Sequence, residues 1–281
     1  TVYYSINKKG KVNILSIKER TDQKFVGEVE INKNVKSVFV RKQNVRFTID
    51  DKQAKKEDLV VVRLKDWKYE DPEGDVLKVI GKSSDSEAQT HAILEEFSLP
   101  YVFSSKVEQE TNSIKKEIEK EKYREDQTSK VTFTIDPEDA KDFDDALSFK
   151  KLEDSSIEVG VHIADVSHYV KTKTELDKEA FYRATSIYLA DRVVPMLPEK
   201  LSNDLCSLNP REKKNVFSVF FIFSKNHKIS NIRFCKSLIV SDERFSYEEA
   251  QHIIENKEKT IPAEKTISGK EKKVNQKLFD S

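Results

Sequence analysis

Between residues 136 and 145 the chain reads Asp-Pro-Glu-Asp-Ala-Lys-Asp-Phe-Asp-Asp, six carboxylates opposed by Lys141 alone. Like charges at this density repel, and each raises the pKa of the next. A bound divalent cation removes that penalty. Hard cations such as Mg²⁺ are held by a few carboxylates, often with substrate phosphates completing the octahedron. The flanks say where the acids sit. Val131-Thr132-Phe133-Thr134-Ile135 alternates as a strand does, and Ala146-Leu147-Ser148-Phe149 starts a second one. Pro137 cannot donate to a ladder, so the chain leaves the first strand just after Asp136. The acids therefore belong to a strand end and a turn anchored in a core, with an acidic surface loop as the bland alternative. Asp142 and Asp144 would point to one side of an extended chain and Asp145 to the other. The turn must bend for all of them to converge.

This stretch resembles the signature of the RNB exoribonuclease family, which includes bacterial ribonuclease R and ribonuclease II. That signature is a strand ending in Ile-Asp followed by Asp-Ala-x-Asp-x-Asp-Asp-Ala, and Ile135-Asp136 with Asp139 through Ala146 fill it without a gap. Val161 to Ser167, Arg183 to Leu189, Pro195 to Pro198 and Leu201 to Leu208 resemble the segments that follow it. The resemblance implies catalytic and metal-binding roles for Asp136, Asp142, Asp144 and Asp145, with Asp144 the one most tightly tied to the chemical step. It places at Tyr188 a ring that stacks on a base near the RNA 3′ end; a core tyrosine is the alternative. It implies Mg²⁺, with Mn²⁺ as a substitute, and processive 3′-to-5′ hydrolysis of RNA releasing nucleoside 5′-monophosphates. The expected partner is a single-stranded RNA 3′ end, and the expected state a cytoplasmic monomer.

The fold class expected is α+β: an OB-fold barrel of cold-shock type followed by part of a mixed α+β RNB catalytic domain. Short apolar runs at Val12–Ile17, Phe25–Ile31, Val38–Val40, Phe47–Ile49, Leu59–Leu64 and Val76–Ile80 carry no strong helical period and suggest the barrel. From Lys8 through Arg46 there are 11 basic and 4 acidic residues, a local excess inside a chain of zero formal net charge. Tyr3, Tyr4, Phe25, Phe39 and Phe47 are interleaved with those bases, as in barrels that bind single strands; core aromatics with solubilising lysines are the other reading. Phe25-Val26-Gly27 and Asp58 to Val62 resemble the family's second cold-shock module. Residues 1–18 are then the tail of a preceding module, 19–81 the barrel, 82–129 a helical linker and 130–281 the catalytic part. Within the linker, Ala92 to Pro100 resembles a short helix of the family. Ser105 and Glu108 have capping-box form, predicting a charged helix to about Gln127 with Val107, Ile114 and Ile118 on one stripe. Further on, a helix is expected from Thr174 to Thr185, two strands at Val216–Phe223 and Asn231–Val240, and a capped helix opening at Ser246. Thr1 and the polar stretch Lys257 to Ser281 both read as truncation points.

Other candidates carry less. His162 and His168 lack partners at ligand spacing, which favours structural roles. Glu138 and Asp139 are expected beside the site or on the surface, and Asp165 as a supporting acid, while Asp191 and Arg192 match no assignable position. Cys206 and Cys235 show no pairing pattern and read as inert thiols of a reducing compartment. No apolar run could span a bilayer and no signal peptide is visible. Two alternatives to the nuclease stand: a non-catalytic single-stranded RNA-binding fragment, since the resemblance puts further helices, an arginine and a terminal barrel beyond residue 281, and a different Mg²⁺ hydrolase, which explains the acids and leaves the barrel unexplained.

Overall fold

A computed structural model describes residues 2–18, 24–33, 35–67, 71–116 and 122–280. The chain packs as two units, Thr1–Val102 and Phe103–Ser281. The first begins with a hairpin of β1 (Val2–Ile6) and β2 (Val12–Ile17). Next come β3 (Lys24–Asn32), β4 (Val35–Val40), β5 (Val45–Thr48), β6 (Asp58–Asp66) and β7 (Glu73–Lys82), which close into a barrel in the order β3-β4-β5-β7-β6. Alternation does the work here. Val29, Val38, Val40, Phe47, Val60 and Val62 point inward and fill the barrel, which has no unpaired edge left once closed. Helix α1 (Ser86–Glu96) follows, capped by the Asp85 side chain on Glu87 N–H at 3.0 Å. It starts six residues before the predicted helix at Ala92.

The second unit is built on a seven-stranded sheet. Its strands are β8 (Glu125–Asp126), β9 (Val131–Asp136), β10 (Asp145–Lys151), β11 (Ile157–Ala164), β14 (Lys213–Phe223), β15 (Ile229–Val240) and β16 (Glu243–Ser246), in the order β16-β9-β10-β11-β14-β15-β8. Around it lie α2 (Ser105–Ser113), α3 (Glu175–Arg183), the small hairpin β12 (Ile187–Tyr188) and β13 (Val193–Val194), α4 (Tyr247–Asn256), the pair β17 (Thr260–Ile261) and β18 (Lys272–Lys273), and α5 (Gln276–Phe279). Thr174 caps α3 and Ser246 forms a capping box with Glu249 on α4, as their sequences predict.

One helix departs from expectation. The residue capping α2 is Ser104, and the helix ends at Ser113, where Ile114 turns extended. The amine of Lys200 explains the stop, because it donates to the orphan carbonyls of Thr111, Asn112 and Ile114 at 3.0–3.1 Å. Asn112 and Ser113 add poor helix propensity. The predicted continuation toward Gln127 gives way at its far end to β8, and Ile118 lies outside the described residues.

The sheet buries its small and polar rows. Ala146, Ser148, His162, Ala164, Val216, Ser218 and Phe220 are buried. A Cβ on Gly160 would sit 2.4 Å from Ser148 Oγ and 2.8 Å from His162 Nε2, so this packing admits only glycine there. The opposite face carries the bulk of the apolar side chains. Under β9 it is covered by Phe245, Ile261, Val274, Leu278 and Phe279, which pack with Phe133 and Ile135. Along β11, β14 and β15 it is open, with Ile163, Phe217, Ile232 and Phe234 exposed.

Candidate active site

Strand β9 ends in Asp136 and the antiparallel β10 begins with Asp145, so the two acids mark the same end of neighbouring strands. Between them the turn is pinned from four directions. Ala140 N–H donates to the Pro137 carbonyl at 3.1 Å, closing the first bend. Arg244, carried by β16 alongside β9, donates through Nη2 to the carbonyls of Pro137 and Glu138 at 2.9 and 2.7 Å. Ser207 Oγ accepts from Phe143 N–H at 3.0 Å and donates to the Lys141 carbonyl at 3.1 Å. Leu208 N–H and Ala164 N–H donate to the carbonyls of Phe143 and Asp144 at 2.9 and 3.0 Å. Phe143 is buried in the core cluster with Leu201, Leu205 and Leu208, and the Arg244 guanidinium lies 4.7 Å from its ring. Sinking Phe143 supplies the bend that the acids require.

The electrostatics show the four acids acting on one another. Asp136 is 9% exposed, and its Oδ2 is buried with no hydrogen-bond partner. Burial raises its pKa, and the charges of Asp145 and Asp142 raise it further, while Arg244 pulls against them. Asp144 is exposed toward solvent at its edge, yet the surrounding protein atoms raise its pKa, with Asp142, Asp145 and Asp136 adding to the effect. Among the described residues, no group of three or more His, Cys, Asp and Glu side chains stands ready to hold a metal ion. The donor chemistry nevertheless fits one. An unpaired buried carboxylate oxygen within a set of mutually repelling hard donors is what Mg²⁺ or Mn²⁺ relieves, and Asp136, Asp142, Asp144 and Asp145 could hold it.

Tyr188 projects from the β12–β13 hairpin, 70% exposed. The negative charge of Asp142, and then burial and Asp144, raise the pKa of its hydroxyl, so the hydroxyl lies within electrostatic reach of the acidic turn. It is not a core tyrosine. Glu138 and Asp139 are exposed.

The remaining candidates are structural. His162 is fully buried, with Nδ1 2.7 Å from Ser218 Oγ and Nε2 2.9 Å from Ser148 Oγ. His168 packs edge-on against Tyr169. Asp165 is buried with Arg124, Lys236 and Ser167 donating to it at 2.6, 3.2 and 2.6 Å. Burial alone would raise its pKa, but those hydrogen bonds hold it at about 2. Burial pushes the Cys206 thiol up to about 12, leaving it inert, and Cys235 is also unbridged. Asp191 is held down by its ion pair with Arg192.

The barrel's aromatics divide. Phe47 is buried in the core and unavailable for stacking on a base, and Phe25, partly buried, packs against it with the rings 5.2 Å apart. Phe39 lies 4.4 Å beneath the Arg46 guanidinium, which also pairs with Glu30. Tyr3 and Tyr4 are exposed on β1. Lys36, one of the basic excess, is spent on the carbonyls of Asp51 and Ala54.

Comparison with known proteins identifies the family. The family profile described as RNB domain matches residues 124–279, and one described as cold shock domain matches 32–104. Ribonuclease R 1 of Lactococcus lactis is 36% identical over 235 residues, covering 79% of this chain and 29% of that protein. The apo form of Mycoplasma genitalium RNase R superposes with a TM-score of 0.83 at 25% identity, covering all of this chain and 45% of that one. The same Mycoplasma enzyme in complex with double-stranded RNA gives a TM-score of 0.78 at 27% identity, over 92% of this chain and 46% of that one. The chain thus spans less than half the length of the proteins it matches. Among its described residues no helix is long and apolar enough to cross a membrane.

Proposed function

Because the chain belongs to the RNB-domain family, we propose that it is the barrel and acid-bearing portion of a Mg²⁺-dependent exoribonuclease that degrades RNA from the 3′ end and releases nucleoside 5′-monophosphates. The observation that carries this reading is the acidic turn, where the charges of Asp142 and Asp145 raise the pKa values of Asp136 and Asp144 within electrostatic reach of an exposed Tyr188. In it, residues 1–18 belong to a preceding module, 19–81 form a cold-shock barrel, 82–129 connect, and 130–281 carry the catalytic residues. The substrate is a single-stranded RNA 3′ end, and the enzyme works as a cytoplasmic monomer.

Each group has a defined task. Tyr188 offers a π-face to the terminal base, and stacking is sequence-tolerant because every base presents one. The four aspartates would hold the cations, with Asp136 fixed at the strand end and Asp142 and Asp144 on the turn. Divalent ions bound there would supply an ionised water and neutralise the leaving oxygen. Arg244, Ser207 and the core-bound Phe143 keep the turn bent while the substrate charge arrives.

A second reading is favoured by one observation: the chain covers 45% of the Mycoplasma chain. In that reading these 281 residues bind RNA without cleaving it. Incubating 5′-labelled single-stranded RNA with the protein and Mg²⁺ decides between them. Stepwise shortening from the 3′ end, lost in Asp144→Asn, supports the nuclease. RNA that is bound and stays intact supports the binding fragment.

A further inference from the structure

The hairpin that presents Tyr188 is tied shut at its base by a buried arginine. Helix α3 ends at Arg183, where Ala184 takes a left-handed φ of +63° and Thr185 N–H donates back to the Arg183 carbonyl at 2.8 Å. The chain then runs out along β12 and returns along β13, turning where Leu189 N–H meets the Arg192 carbonyl at 2.8 Å. Two bonds join the legs at the root. Met196 N–H donates to Ser186 Oγ at 3.0 Å, and Arg183 Nη1 donates to the Pro195 carbonyl at 3.1 Å. Arg183 is itself immobilised: its Nε donates to Glu179 at 2.9 Å, its guanidinium lies 3.7 Å over the Phe103 ring, and its side chain is 2% exposed.

Such a cation is costly to bury, and truncating its partners is costlier still. A hairpin resting on two-residue strands has little order of its own. A ring on an untethered hairpin would lose much of its stacking to the entropy of ordering the loop. We propose that Arg183 is a positioning residue for Tyr188, holding the return leg of the hairpin so that the exposed ring is presented in one place before RNA arrives. This rests on the stacking role assigned to Tyr188 above.

The test uses the full chain without divalent metal and a single-stranded RNA whose last base is 2-aminopurine, the fluorescence of which is quenched on stacking. Tyr188→Ala should abolish the quenching and weaken binding by roughly 5- to 100-fold, the range for loss of one stacked base. Arg183→Met should remove most of the quenching and weaken binding by about 3- to 10-fold, a fraction of that loss. In a Tyr188→Ala background the same change should cost nothing more, because residues acting through one contact are not additive. If Tyr188→Ala leaves the quenching intact, the stacking role fails and this inference falls with it. If Tyr188→Ala abolishes quenching but Arg183→Met adds its full loss on top, the stacking role stands and Arg183 is not its positioner. Should Arg183→Met fail to fold, Ser186→Ala opens the same root from the other bond and decides by the same comparison.

Discussion

Lowering the pH should weaken the fold through one residue, His162. It is fully buried between Ser148 and Ser218, where a neutral ring can donate to one hydroxyl and accept from the other. Burial, reinforced by the positive charge of Lys130, depresses its pKa from 6.5 to about 4. In the unfolded chain the ring titrates at its ordinary value. Between those limits the unfolded state binds a proton that the native state refuses, so stability is fully present above pH 6.5 and is lost as the pH falls toward 4. At about 1.4 kcal/mol per pH unit, the whole window is worth about 3 kcal/mol. Asp136 and Asp144 act in the opposite sense, since their raised pKa values make the native state the readier to bind protons as the pH falls. Subtracting a variant isolates the histidine. His162→Gln should be less stable than the parent by about 1–3 kcal/mol at pH 7, from the lost hydrogen bonds, and the difference should move by about 3 kcal/mol in the variant's favour on going to pH 4, closing or reversing the gap. Urea unfolding followed by circular dichroism at four pH values measures it, and the His162 ring resonances should not titrate above pH 5. A gap between parent and variant that stays constant from pH 7 to pH 4 would refute the reasoning.

Asp144→Asn, which keeps the side chain's size and removes a ligand charge, should abolish Mg²⁺-dependent RNA cleavage while changing RNA affinity by less than about 3-fold; paired gel-cleavage and filter-binding assays check both halves. Mg²⁺ should raise the melting temperature, with a stabilisation of about 2.7 kcal/mol at a concentration a hundred times its dissociation constant, and Asp136→Asn should blunt that shift by removing the buried unpaired oxygen. RNA binding should fall with salt at a log–log slope of about −0.7 per neutralised phosphate, and Arg46→Ala should shallow the slope by about that amount if the barrel lies on the RNA path, as fluorescence anisotropy at several salt concentrations will report.

The parts of this protein legible in its sequence are those encoded over short spans. Barrel strands stand out as short apolar runs, with Glu28 and Glu30 alternating with Val29 and Ile31 on β3 and an unbroken Leu59 to Val62 on β6, and the acids are conspicuous within ten consecutive residues. Caps are local too, and Thr174 and Ser246 behave as their neighbours dictate. What escaped is long-range. The shape of the acidic turn depends on Ser207 and Arg244, 64 and 106 residues from the backbone groups they hold, and nothing beside Asp136 announces them. The length of α2 is set by Lys200, whose amine takes its last carbonyls from 86 to 89 residues away. Phe25 and Phe47 look alike in the sequence, and only closure of the barrel buries Phe47 while leaving Phe25 at the margin of its core.

The open apolar rows of β11, β14 and β15 bear on how molecules of this chain meet one another. Ile163, Phe217, Ile232 and Phe234 form a greasy strip on a polypeptide whose formal charges cancel. Near neutral pH there is no net monopole to keep copies apart, so short-range attraction between strips governs their encounters. Colloidal behaviour should follow: the osmotic second virial coefficient is expected to be lowest close to pH 7 and to rise on either side. A single Phe234→Lys replacement, which breaks the strip and adds a charge, should do more for solubility than several substitutions elsewhere on the surface.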